Sequence, residues 1–202
     1  YEIGSGLVGS EMCIRDRDDE GGIWIGTMFG GVNYLPNRIL TFAKYVPGSD
    51  PYSLNTKRIR GLAEDNNGCI WIGTEDNGVN VLDPRTGKVH QIYDNVPGRL
   101  ITLSVKHYEN HIYVGLFKQG MNDISIPGEH LKYVSDKDLG IEEGSVYSFL
   151  KDSKGRTWIG PGWGLYVSQP KERKFHRVEE VGYNWVFDIM EARDGTIWLA
   201  TM

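Results

Sequence analysis

One short motif recurs along this chain at an almost fixed step. Gly-Ile-Trp-Ile-Gly-Thr at 22–27 returns as Cys-Ile-Trp-Ile-Gly-Thr at 69–74, Arg-Thr-Trp-Ile-Gly at 156–160 and Thr-Ile-Trp-Leu-Ala-Thr at 196–201. A degraded copy, His-Ile-Tyr-Val-Gly, fills 111–115. The central aromatics are Trp24, Trp71, Tyr113, Trp158 and Trp198, at steps of 47, 42, 45 and 40 residues. A period of roughly 40–50 residues with several short strands per unit marks a propeller or a related array.

The second unit shows the pattern most cleanly. Ile59 to Asp65 reads as a strand, Asn66-Asn67-Gly68 as a tight turn, and Cys69 to Thr74 as a second strand. Glu75 to Gly78 turns again before strands at 79–82 and 89–93. Four short antiparallel strands joined by hairpins make one propeller blade. The third unit is expected to hold strands near 100–108, 111–117, 121–127 and 131–135, and the fourth near 145–152, 156–160, 164–168 and 174–179. The first unit shows its last three strands, near 22–27, 31–35 and 39–45, and the fifth its first two, near 185–192 and 196–201. The expected fold is therefore all-β: a propeller fragment of about four blades of four antiparallel strands, truncated at both ends. The blades fall near 18–45, 58–93, 100–135, 145–179 and 185–202.

A blade packs both faces on its neighbours, so its strands read apolar throughout rather than alternating. The recurrent Trp supplies area for that contact. The Gly two residues later (Gly26, Gly73, Gly115, Gly160) allows close backbone approach. These residues are read as structural, and all five central aromatics are expected to be largely buried.

Residues 1–17 carry neither the repeat nor a strand alternation. They resemble translated linker debris and are set aside from the functional reading, Cys13 with them. The alternative is a divergent first strand using Leu7, Val8 and Ile14. The basic residues are scattered and the net charge is −5, which argues against a nucleic-acid surface. No apolar run is long enough to span a membrane. Cys13 and Cys69 lie in unlike contexts and are not expected to pair.

Asp65-Asn66-Asn67-Gly68-Cys69-Ile70-Trp71-Ile72-Gly73-Thr74, followed by Gly78-Val79, resembles the two-component regulator propeller repeat. Segments 152–160 and 195–201 match it too. The stretch 50–59, with Ser53-Leu54-Asn55, resembles that family's inter-blade linker. The third unit departs with Tyr113 for Trp and Leu116 for Thr, and the fourth with Pro161 for Thr. The resemblance implies the periplasmic sensor of an inner-membrane hybrid two-component regulator in a glycan-degrading bacterium. The usual signal is an oligosaccharide. A membrane helix, a histidine kinase and often a DNA-binding domain would lie outside this segment. The implied partners are an oligosaccharide or other periplasmic ligand, the rest of the sensor, a C-terminal signalling region and a second copy.

The loop after each second strand shares a face with the inter-blade linkers. On it lie Phe29, Glu75, Asp76, Phe117, Lys118, Gln119 and Trp163, with Tyr52, Arg58, Tyr183 and Asn184 from linkers. Phe29, Asp76, Lys118 and Trp163 each stand five residues after their central aromatic. Exposed aromatics beside polar groups suit sugar rings, which offer apolar faces and hydroxyl edges. The candidate ligand residues are Phe29, Asp76, Phe117, Lys118, Trp163, Tyr183 and Asn184. The competing reading is loop packing or an interface with another propeller. Asp65 to Gly68 and Asp152 to Gly155 lack the distal ligands of a calcium loop. The five histidines show no metal spacing, although His107 and His111 flank one turn. No catalytic triad, paired carboxylate or phosphate loop can be argued, so neither an enzyme nor a cofactor is expected. The main reading is a glycan-sensing propeller; the alternative is a non-catalytic scaffold for protein–protein contact.

Overall fold

The computed structural model describes residues 14–27, 30–37, 43–92, 101–172 and 174–202. Phe29 and Cys13 lie outside the described residues. Five antiparallel sheets follow one another along the chain. The first is β1 (Ile14–Arg17), β2 (Ile23–Thr27), β3 (Gly31–Leu35) and β4 (Ala43–Tyr45). The second is β5 (Ile59–Glu64), β6 (Ile70–Thr74), β7 (Val79–Leu82) and β8 (Val89–Ile92). The third is β9 (Thr102–Tyr108), β10 (His111–Leu116), β11 (Met121–Ser125) and β12 (His130–Val134). One helical turn, α1 (Asp136–Leu139), leads to β13 (Val146–Lys151), β14 (Thr157–Pro161), β15 (Tyr166–Ser168) and β16 (His176–Arg177). The last sheet is the hairpin β17 (Val186–Glu191) and β18 (Ile197–Thr201). Within each sheet the strands pair in chain order. These are the blades of a β-propeller.

The first blade holds four strands rather than the three expected. Ile14–Arg17 pairs with β2, Asp16 opposite Trp24. Main-chain pairing asks only for an extended backbone, so a segment without the apolar pattern fills the inner position. The turn α1 was also missed. Its signal is Ser135 three residues before Asp138: the Ser135 side chain accepts from the Asp138 N–H, and the Asp138 carboxylate accepts from Ser135 in return.

The core lies between blades. One face of β6 gives Trp71 to a cluster with Ala63, Val81, Val105, Ile112 and Val114, against the third blade. The other face gives Ile70 and Ile72 to a cluster with Trp24, Val32, Leu54 and Ile59, against the first. This double burial explains the unbroken apolar strand. Trp24, Trp71 and Trp158 are buried as expected, and Tyr113 is half-buried. Burial, helped by Asp123 and Glu109, pushes the Tyr113 phenol up to about 12. Trp198 departs from the expectation, being 61% exposed. It occupies the face that Trp158 turns toward the following sheet, and no described sheet follows its own.

The acidic turn of the first, second and fourth repeats has a structural task. Asp65 accepts the N–H groups of Asn67 and Cys69 on one oxygen, and the Trp71 indole N–H at 2.9 Å on the other. Asp18 binds Trp24 in the same way at 2.9 Å, and Asp152 binds Trp158 at 2.8 Å. The third unit has His107 at this position and Tyr113 in place of Trp, so acceptor and indole are lost together. The fifth has Ala192 there.

Burial alone would raise the Asp152 carboxyl. The bonds from Trp158 and from the Arg156 backbone and side chain outweigh it and hold the group below its usual 3.8. A depressed native value means that its contribution is complete above the unfolded value and is lost as pH falls through the folded one. The stability gap between the parent chain and Asp152→Asn should therefore narrow as pH drops below about 3.8, followed by urea melts at stepped pH. A gap that stays constant into acid would contradict this.

The linker before the second blade is also explained. Leu54 is fully buried, and Asn55 bonds to the Asn77 carbonyl at 2.9 Å and accepts from Asn80 at 2.8 Å. The Ser-Leu-Asn element thus plugs the blade junction and fastens the loop after β6.

Candidate functional site

The loops after the second strands of blades two, three and four are joined by hydrogen bonds to linkers, in blades two and three to the linker that enters the same blade and in blade four to the one that enters blade five. Glu75 N–H donates to Arg58 O at 3.0 Å, Phe117 N–H to Ile101 O at 3.1 Å, and Gly164 N–H to Asn184 O at 2.9 Å. Loops and linkers therefore share one face. In the second unit the Thr74 hydroxyl closes the loop, donating to Gly78 O and accepting from Asn77. Leu116 and Pro161 leave the third and fourth units without that hydroxyl. There the linker substitutes for it. Ser145 Oγ accepts from Lys118 N–H at 3.0 Å and donates to Glu143 at 2.6 Å. The other Glu143 oxygen accepts from Gly162 at 3.1 Å. One serine and one carboxylate thus position both the Lys118 and the Trp163 loops.

Trp163 is 53% exposed and Tyr183 62% exposed, yet their rings meet edge-on at 6.1 Å. The Arg177 guanidinium lies over the Tyr183 ring at 3.7 Å. Arg177 Nε is buried with no hydrogen-bond partner among the described residues. Asn184 is taken up locally, its side chain donating to Val181 O at 3.0 Å. Lys118 reaches over Phe117 at 5.1 Å. Among the described residues, no hydrogen bond or ring contact joins Asp76, Phe117 or the Lys118 side chain to the Trp163–Tyr183 pair. The seven candidates therefore resolve into one aromatic pair with Arg177, one separate Phe117–Lys118 pair, the exposed Asp76, and Phe29 outside the described residues.

The register also sets Trp163 apart. Trp24, Trp71 and Tyr113 oppose residues ten further on (Tyr34, Val81, Asp123), whereas Trp158 opposes Val167, nine further on. The fourth hairpin is one residue shorter. Trp163 consequently stands directly before Gly164, whose φ of +87° closes the turn.

Sequence reasoning missed a second feature. Each inner strand of blades two to five is irregular at one place. The register slips between Ile59 and Gly61, at the Leu103 position of β9, between Val146 and Ser148, and between Val186 and Asp188. The skipped residues are Arg60, Leu103, Tyr147 and Phe187. A bulge re-aims the side chain it carries, and all four line one cleft of about 500 Å³ where the inner strands meet. The only hint in the sequence is Trp185-Val186-Phe187, two aromatics flanking a core valine.

The histidines that flank one turn take separate partners. His107 contacts Glu109 O at 2.8 Å, and His111 contacts Asp123 at 2.6 Å. Among the described residues no group of three or more His, Cys, Asp or Glu side chains is placed to hold a metal. No described helix is long and apolar enough to cross a membrane.

Residues 53–76 and 181–202 match the family model described as two component regulator propeller. Each of these two segments is a match to the two component regulator propeller repeat. The two matched segments are the inter-blade linker with the first hairpin of blade two, and the Tyr183–Asn184 linker with the hairpin of blade five. No curated protein matches the sequence significantly. Among solved structures, the extracellular domain of a protein described as a hybrid two component system, BT3049 from B. thetaiotaomicron, superposes with a TM-score of 0.77 at 24% identity. That likeness covers 99% of this chain and 28% of the other. The BT4673 extracellular domain from the same organism gives 0.78 at 19% identity, over 97% of this chain and 26% of the other. PorZ, a surface component of the type-IX secretion system of Porphyromonas gingivalis, gives 0.68 at 16%, over 96% and 31%. These likenesses show the fold. The chain spans about a quarter of the length of the first two.

Proposed function

We propose that these repeats are part of the ligand-sensing propeller of a hybrid two-component regulator, in the periplasmic portion of an inner-membrane protein. The ligand is an oligosaccharide, and the signal passes to a histidine kinase outside these residues. One observation carries the reading: Trp163 and Tyr183 are more than half exposed on the loop–linker face, beside the Arg177 guanidinium. Large aromatics held open beside polar groups form the platform a sugar ring needs, and propeller loops commonly bear function. The repeat family supports the sensor assignment. Nothing in the site calls for a reacting group, so this is a binding module.

In the intact sensor, Trp163→Ala should weaken oligosaccharide binding tenfold or more, since a buried aromatic anchor is worth about 2 kcal/mol. The melting temperature should barely move, because surface substitutions typically cost within about 0.5 kcal/mol. Calorimetric titration and a thermal melt decide it. Unfolding with binding spared would make Trp163 a packing residue.

A further inference from the structure

One position of the third strand carries a buried hydrogen-bonding side chain in blades one to four. Asn33, Asn80, Asn122 and Tyr166 pair with Ile25, Ile72, Val114 and Ile159, the residue after each central aromatic, and all four are buried. In blades two and four this side chain reaches the linker. Asn80 donates to the Asn55 side chain at 2.8 Å, and the Tyr166 hydroxyl meets the Glu142 backbone. Asn55 and Glu142 are equivalent: each stands four residues before the first pairing residue of its inner strand, Ile59 or Val146. The same step back from Thr102 in blade three falls on Gly98, which has no side chain to offer Asn122. We infer that one buried water molecule takes the linker's part there, bridging Asn122 to Thr102 at the junction of blades two and three.

Three observations carry it. First, Asn122 is only 5% exposed, and its Oδ1 is buried with no hydrogen-bond partner among the described residues. A buried acceptor costs free energy until a donor meets it. Second, Asn122 lines a cavity of about 10 Å³ together with Thr102 and Gly78, walled by Val114, Leu116 and Ile124. One water needs roughly 10–15 Å³, so the space suits a single solvent molecule and nothing larger. The lining residues include no carboxylate and are mostly apolar, which disfavours a cation. Third, a second polar group faces the same space. The Thr102 hydroxyl donates to Gly78 O at a long 3.4 Å, and that carbonyl already accepts the Thr74 N–H at 2.9 Å and its hydroxyl at 2.8 Å. A hydroxyl oxygen also accepts, so the water donates one hydrogen to Asn122 Oδ1 and the other to Thr102 Oγ1.

The site joins the bases of two loops across the blade boundary. Gly78 closes the Asp76 loop through its bond from Thr74. Thr102 follows Ile101, whose carbonyl accepts the Phe117 N–H at 3.1 Å.

The test uses the whole extracellular chain that contains these repeats. Its high-resolution crystal structure should show one ordered water at about 2.6–3.2 Å from both Asn122 Oδ1 and Thr102 Oγ1. Calorimetric melts then test the bridge with two volume-conserving substitutions. Thr102→Val should lower the melting temperature by about 2 °C or more in the parent chain. In an Asn122→Leu background, where the bridge is already gone, the same change should cost under about 0.5 °C. Equal losses in the two backgrounds overturn the bridge. So does a crystal structure in which a residue from 93–100 donates to Asn122 Oδ1, one in which several oxygens crowd a metal ion there, or one with no ordered solvent at the site.

Discussion

Trp71→Ala is expected to be the most destabilising single change in the chain, at about 3–5 kcal/mol, the usual range for emptying a buried tryptophan site. Trp71 is buried among Ala63, Val81, Val105, Ile112 and Val114, so the cavity opens at the contact between blades two and three. Those neighbours belong to two hydrogen-bonded sheets and cannot collapse into the space independently. A second term adds to the cavity. Asp65, itself buried, keeps two backbone N–H partners but loses the indole N–H bonded at 2.9 Å. Trp71→Phe separates the two effects. It retains most of the ring area and removes the donor, and should cost about 1–3 kcal/mol, the range for a buried acceptor left unpaired. At roughly 2–4 °C per kcal/mol for a chain of this size, Trp71→Ala should lower the melting temperature by about 10 °C or more. Thermal melts followed by circular dichroism would measure it. A fall of only a degree or two would mean that the inter-blade tryptophan is not a core residue.

The blade architecture was legible because repetition multiplies weak signals. One Ile-Trp-Ile-Gly-Thr is an ambiguous apolar run, but five aromatics at near-constant steps fix strand, turn and order together. The strand bounds of blade two fall within one residue of those read from the sequence. What escaped was whatever the repeat does not repeat. The first inner strand, Ile14–Arg17, pairs through its backbone and so left no side-chain signature. The exposure of Trp198 depends on what stands beyond its sheet, which no local pattern encodes. The site was half legible for the same reason. Trp163 stood out as an aromatic between two glycines, and its contact with Tyr183 followed from the shared face of loop and linker. The bulges did not stand out, since a one-residue slip in pairing is a relation between two strands. Of Arg60, Leu103, Tyr147 and Phe187 only the last two are alike, both aromatic; what all four share is a position.

Gly115→Ala should show how close the blades stand. An added methyl group at this position would lie 2.1 Å from the Val146 carbonyl oxygen on the next inner strand, and 2.4 Å from Ser104 Oγ. The carbonyl is backbone and cannot swing aside. It also accepts the Ser104 hydroxyl at 3.0 Å, so moving the strand breaks a bond between blades three and four. Gly160 repeats the arrangement one blade on, with Val186 O at 2.6 Å and Ser148 Oγ donating to it at 2.9 Å. Overpacking a tight site typically costs about 1–3 kcal/mol; contact with an immobile carbonyl places Gly115→Ala at or above the top of that range. Gly26 supplies the comparison. The nearest atoms to its added methyl belong to side chains, Ile59 at 3.0 Å and Leu62 at 3.5 Å, and a side chain can shift by a few tenths of an ångström. Gly26→Ala should therefore cost about 1 kcal/mol or less. Urea unfolding of the two variants side by side separates the cases. If they were equally destabilised, conformational freedom rather than the approach of the next blade would be what these glycines provide.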